Sequence, residues 1–115
     1  MRPRIYISGP LTSSGNVREN LERAMGAARA LIDAGFAPFT PHLSYHLDPA
    51  EELPHATWMK IELPWVSVAD AVLRLPGESV GANIEVSHAR KLGVPVFTSI
   101  AALADHFALA GSAAA

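Results

Sequence analysis

A chain of 115 residues, half of them apolar, has the material for one domain around one core. Its formal charge of −2, from 9 basic and 11 acidic residues with no block of either sign, argues against binding a nucleic-acid polymer, which needs a basic face. The absence of cysteine excludes disulfides, thiolate metal sites and a thiol nucleophile. No apolar run approaches the ~18 residues of a membrane span. The stretch after Met1-Arg2-Pro3-Arg4 is too short for a signal core, and no small-residue cleavage site follows it. A cytoplasmic protein is expected, with a small molecule or another copy of itself as partner.

The first apolar run, Ile5-Tyr6-Ile7, closes on Ser8-Gly9-Pro10, which predicts a short strand ending in a turn. After the loop Thr12-Ser13-Ser14-Gly15, Asn16 stands as an N-cap with Glu19 at the capping-box spacing. Apolar residues recur at Val17, Leu21, Met25, Ala28, Leu31 and Ile32, a helical stripe stopped at Asp33-Ala34-Gly35. Phe36 to Thr40 reads as a second strand, which Pro38 makes short or places at an edge. Pro41 to Pro54 is a polar loop. A second helix is expected over Ala56 to Val68, kinked or broken at Pro64. Asp70 to Leu75 is a third strand, Gly81 to Leu92 a third helix, and Val94 to Thr98 a fourth strand. Ser99 caps a last helix, Ile100 to Leu109. One domain over 1–109 and a flexible tail over 110–115 are expected.

Strict alternation of strand and helix implies an α/β fold: a single doubly wound parallel sheet, flavodoxin- or Rossmann-like, with helices on both faces. The expected strand order is 2-1-3-4, with space for one extra strand. Ligands bind such sheets beyond the carboxyl ends of the strands, where the order reverses. That reversal lies between strands one and three. Their loops, Ser8-Gly9-Pro10 and Leu75 to Ser79, are the most Gly/Pro-marked in the chain.

The segment Pro76 to Glu85 carries the most chemistry. Gly77 and Gly81 allow close backbone approach, and Ser79 with the N–H groups of a helix start makes an anion or hydroxyl site. Glu85 follows in the first turns of that helix. Each also has a plain structural reading, Ser79 as a cap and Glu85 as a charge favoured at the positive helix end. Glu62 reads by itself as a solvated helix charge near Lys60, and Asp70 as structural. His42 and His46 have a spacing found in metal sites, but Pro41 and Pro49 bracket them and no third ligand is evident. Loop histidines touching ligand or solvent are the better reading. Trp58, Trp65 and Tyr45 weigh stacking on a base against packing, with packing favoured. Arg18 is a surface arginine within reach of the first loop, and His88 and Arg90 fall on the exposed side of the third helix.

Three segments in order carry a resemblance. Tyr6-Ile7-Ser8-Gly9-Pro10, then Glu62-Leu63-Pro64-Trp65-Val66-Ser67-Val68-Ala69-Asp70, then Ser79-Val80-Gly81-Ala82-Asn83-Ile84-Glu85 with Ala89 and Gly93, resemble the nucleoside 2-deoxyribosyltransferase superfamily. That resemblance implies cleavage of the N-glycosidic bond of nucleosides or nucleotides, without metal or organic cofactor. It implies Glu85 as the nucleophile at C1′ and Glu62, in place of the usual Asp, as the group that handles the proton on the base. Tyr6 either orients Glu85 or packs near the sugar. Substrate contacts are expected at Tyr6, Ser8, Gly9, Pro10, His42, Gly77, Ser79, Gly81 and Ala82, and the resemblance implies a homo-oligomer, a dimer or larger.

Within that superfamily the residue six before the nucleophile separates two branches. An Asp there holds a free 5′-hydroxyl, whereas a Ser accepts a 5′-phosphate. Ser79 therefore points to a nucleoside 5′-monophosphate N-glycosidase. Pro10 and Thr12 stand where the nucleotide hydrolases carry Ser and Arg, and Ser13, Ser14 and Arg18 are the available substitutes. The alternatives are a base-exchanging deoxyribosyltransferase and a non-catalytic nucleotide-binding module. A phosphoribohydrolase is a weaker rival, because its longer glycine-rich run is missing.

Overall fold

The computed structural model describes residues 1–108 in full and 109–114 by backbone alone; the flexible tail expected over 110–115 lies outside the fully described residues. The elements run β1 (Arg4–Ser8), α1 (Val17–Asp33), β2 (Ala37–Phe39), a 3-10 helix (Pro41–His46), α2 (His55–Ser67), β3 (Ala71–Arg74), α3 (Val80–Lys91), β4 (Val96–Phe97) and α4 (Ile100–Ala114). All strand pairs are parallel, in the order β2-β1-β3-β4, so the expected doubly wound sheet is present, with no extra strand among the described residues. Among the described residues, no helix is long and apolar enough to cross a membrane.

The period of two in β1 sorts its side chains between the two layers. Ile5 and Ile7 face α1 and α4, packing with Leu31, Leu73 and Leu103. Tyr6 faces the other way, against Val66, Val72 and Ala89 beneath α2 and α3. Ser8, on the same side as Tyr6, is fully buried at the strand's carboxyl end. A polar residue in that position needs a partner. This alternation is what delivers two hydroxyls to the α3 side of the sheet.

Local chemistry sets the element ends. The Asn16 side chain accepts from the Glu19 N–H at 3.2 Å and starts α1, as its spacing predicts. β2 is three residues long and lies at an edge, where the missing N–H of Pro38 costs no interior ladder bond. The expected break at Pro64 is absent: α2 runs through it as one helix, forgoing the bond from residue 64 to the Lys60 carbonyl. α2 packs on α3, which supports the helix where that bond is missing. The loop after β2 holds more regular structure than expected, a 3-10 helix opened by Pro41. Asp70 accepts from the Arg4 N–H at 2.7 Å, which keeps its carboxyl below the usual range and ties β3 to β1 at the edge away from the ligand loops.

Candidate active site

A cavity of about 340 Å³ opens beyond the carboxyl ends of β1 and β3. Gly9 and Glu85 of α3 line it. Thr12 and Ser13 come from the loop after β1, and His42 and Tyr45 from the 3-10 helix. The first turns of α2 add Trp58, Met59 and Glu62, while Ser79, Gly81 and Ala82 come from the start of α3. This is the reversal point the strand order predicts.

Glu85 is the centre of the site. It is 4 % exposed, although it is a carboxyl one and a half turns into a helix. Both of its oxygens are occupied. The Tyr6 hydroxyl donates to Oε2, and the Ser8 hydroxyl donates to Oε1 at 2.8 Å. Burial, and then the charge of the adjoining Glu85, drive the Tyr6 phenol far up, so it remains a donor. The two hydroxyls therefore fix the orientation of Glu85 and satisfy it inside the protein.

Glu62 lies beside Glu85, across the gap between α2 and α3. Burial first, then the hydrogen bond and charge of Glu85, push its carboxyl up to about 8. Two carboxyls in contact cannot both ionise at low cost, so Glu62 keeps its proton at neutral pH. The exposed helix charge that Glu62 suggests on its own is replaced by a half-buried acid facing a buried carboxylate. A carboxyl that keeps its proton in a cavity at neutral pH is able to serve as a general acid.

The start of α3 supplies the third feature. Ser79 is buried, and its Oγ accepts from the Ala82 N–H at 3.1 Å as an N-cap. A hydroxyl that only accepts still has its own proton to donate, so capping does not use up Ser79. Gly81 packs the first turn of α3 against α2: a Cβ there would stand 3.4 Å from both His55 Cε1 and Met59 Cε.

Four expected contacts are not part of the wall: Tyr6 and Ser8 sit behind Glu85 and hold it, and the other two are turn residues. Pro10 and Gly77 do not line the cavity. They pack on each other, a Cβ at Gly77 lying 2.9 Å from Pro10 Cγ, and Gly77 has φ +111°. The glycine serves the turn rather than a ligand. Gly77→Ala is expected to cost about 1–3 kcal/mol. Gly26→Ala, in mid-α1 with nothing within 4 Å, is expected to gain about 0.5–1 kcal/mol. Thermal unfolding of both variants checks the contrast.

The proposed phosphate substitutes divide. Ser13 lines the cavity, yet the Ser13 and Ser14 hydroxyls donate to the Glu78 carbonyl at 3.4 and 2.7 Å, lacing the two ligand loops together. Arg18 turns away to pair with Glu22 on the exposed face of α1. Tyr45 and Trp58 line the cavity, against the expectation of packing alone. Trp65 is half exposed and stacks on Phe39 at 5.1 Å, and Phe39 stacks on Tyr6 at 5.7 Å. His88 is half-buried rather than exposed, its Nε2 2.8 Å from Ser67 Oγ, a clasp between α2 and α3. Asp48 escaped the sequence reading. Its carboxylate accepts from the Glu52 and Leu53 N–H groups, both at 3.0 Å, and turns the chain along the cavity rim. The Asp48-Pro49 pair is the signal that could have found it. Of the two histidines only His42 reaches the cavity, because three residues per turn put residues four apart on different faces.

No curated protein matches the chain by sequence. Among solved structures, a 2-deoxyribosyltransferase from the psychrotolerant bacterium Bacillus psychrosaccharolyticus is similar, with a TM-score of 0.59 and 22 % identity over 81 % of this chain and 69 % of that one. At that identity the likeness is one of fold. A family model described as a domain of unknown function, DUF7768, matches residues 3–99. That span runs from the start of β1 past the end of β4 and holds every residue of the cavity, so the chain belongs to the DUF7768 family.

Proposed function

We propose that this protein cleaves the N-glycosidic bond of a nucleoside 5′-monophosphate, with Glu85 as nucleophile at C1′ and Glu62 as the acid that protonates the leaving base. The observation that supports this most is the pair itself. A buried carboxyl is held on both oxygens by Tyr6 and Ser8, and it touches a second carboxyl that retains its proton. A Glu85 oxygen bonds to C1′ as the C1′–N bond breaks; the electron pair leaves with the base, which takes the Glu62 proton. The intermediate is a glycosyl ester on Glu85. Water then attacks C1′ and gives its proton to Glu62, now a carboxylate, and Glu85 leaves. With a second base in place of water, the same site exchanges bases, the activity carried in the name of the deoxyribosyltransferase of similar fold.

The 5′ end divides the readings. The Ser79 hydroxyl proton and the first N–H groups of α3 favour a phosphate. A different observation favours a free nucleoside. Asp48, Glu51, Glu62 and Glu85 line the cavity, and no Lys or Arg does so among the described residues. The two readings part in Ser79→Asp. On the monophosphate reading this change lowers kcat/KM for 5′-monophosphates by about 100-fold, through like-charge repulsion, and spares free nucleosides. The check is base release from ribo- and deoxyribonucleosides and their 5′-monophosphates, followed by chromatography. Equal loss on both classes would remove phosphate from Ser79.

A further inference from the structure

The mechanism leaves one buried titratable side chain of the cavity unused. His42 is 3 % exposed and lines the cavity, and neither Nδ1 nor Nε2 has a hydrogen-bond partner among the described residues. Buried polar atoms are seldom left unpaired, and here no solvent reaches either nitrogen to stand in. The imidazole therefore lacks something the protein alone does not provide.

The surroundings say what kind of group is missing. The carbonyls of Gly9 and Pro10 lie beside the ring, although neither is placed for a hydrogen bond of good geometry. Burial pushes the imidazole below its ordinary value, which leaves it neutral. A neutral ring has one N–H and one lone pair. Carbonyls only accept, so they draw the N–H side of the ring toward Gly9 and Pro10 and leave the other nitrogen as an acceptor. The ring borders the cavity, so rotation about its side-chain bonds turns that nitrogen toward a bound ligand.

We infer that His42 is a specificity-determining residue, whose free imidazole nitrogen accepts a hydrogen bond from an O–H or N–H of the substrate. This rests on the nucleoside reading of the cavity. Such a donor is either a sugar hydroxyl or an exocyclic amine of the base. A phosphate dianion or a base carbonyl offers no donor and is not read by this group. Because a hydrogen-bonding site left empty is penalised, a substrate that lacks the donor binds about ten- to a hundredfold more weakly.

The test uses the full chain carrying Glu85→Gln, so that binding is read without turnover. The probes are adenosine, 2′-deoxyadenosine, 3′-deoxyadenosine and purine riboside, and the four corresponding 5′-monophosphates, titrated by calorimetry. With His42 in place, removal of one donor is expected to weaken binding ten- to a hundredfold, and the ligand affected names the 2′-hydroxyl, the 3′-hydroxyl or the amine. His42→Phe is expected to erase that one difference and leave the others unchanged. His42→Asn, which keeps an acceptor oxygen, restores part of it. An imidazole 15N shift at His42 on adding adenosine, from a lone-pair value toward a hydrogen-bonded one, is the expected direct sign. Should His42→Phe weaken all ligands alike, or should no donor deletion matter, the inference is wrong while the nucleoside reading stands. If none of the eight probes binds, and neither do the guanine, cytosine, uracil and thymine nucleosides or their 5′-monophosphates, the nucleoside reading itself fails and this inference falls with it. Where His42→Phe does not fold, His42→Asn and the 15N measurement decide alone.

Discussion

Glu85→Gln is expected to lower base release by about 10⁴-fold or more, with the fold intact. The magnitude follows from removing the atom that forms the covalent bond, which leaves only binding and the polarity of the cavity to assist the reaction. The fold survives because the amide keeps the shape of the side chain. Its oxygen still accepts from one of the two hydroxyls that hold Glu85, and its NH₂ can donate to the other. Far-UV circular dichroism and thermal unfolding check the fold, and released base is followed by chromatography. Tyr6→Phe and Ser8→Ala should cost less, because each removes one of two supports and leaves the nucleophile. A Glu85→Gln protein that turns over normally would show that Glu85 is only a buried partner for Tyr6 and Ser8.

The second large effect belongs to Glu62 and is seen in pH. Its folded value lies near 8, well above the usual glutamate value of 4.5. The folded protein therefore binds this proton more tightly than the unfolded chain does. In the window from about 4.5 to about 8 the native state holds the proton and the unfolded state has lost it, so stability falls as pH rises through that window. Glu62→Gln has no such proton to lose. Its melting temperature should move ahead of the parent's as pH rises from 5 to 9. Activity runs on the same proton. Base release should decline above pH 8 as the acid is lost, with an apparent value that belongs to the Glu62–Glu85 pair. Glu62→Gln should lower the rate by about 10²–10⁴-fold and flatten that alkaline limb. An alkaline limb unchanged in Glu62→Gln would assign it to another group.

Much of the architecture was legible because periodicity and punctuation are local. The apolar run Ile5-Tyr6-Ile7 closed by Ser8-Gly9-Pro10 marked β1, and the β-α order then named the carboxyl ends of β1 and β3 as the ligand side. Glu85 read on its own as a charge favoured at a helix start, and only the resemblance singled it out. The pairing of Glu62 with Glu85 was another matter. It depends on how α2 crosses α3, which neither helix encodes alone, so Glu62 judged by its neighbours looked like a surface charge. That α2 continues unbroken past Pro64 was hidden for the same reason, since the packing on α3 comes from outside the helix. Gly77 and Pro10 read as ligand contacts because glycine near a site and glycine in a tight turn look alike in sequence. The positive φ and the Pro10 contact separate them. Nothing in the sequence marks His42 as unpartnered, because an unmet hydrogen bond is visible only once every neighbour has been placed.

The most direct measurement is intact-mass analysis of the protein, quenched with acid during turnover of 2′-deoxy- and 2′-fluoro-2′-deoxynucleosides and their 5′-monophosphates. The fluorine slows release of the sugar from a retaining nucleophile and lets the intermediate accumulate. The account predicts a mass increase equal to the sugar or sugar phosphate, mapped by fragmentation to Glu85, and absent from Glu85→Gln. Release of base with no adduct, or an adduct on any other residue, would contradict it.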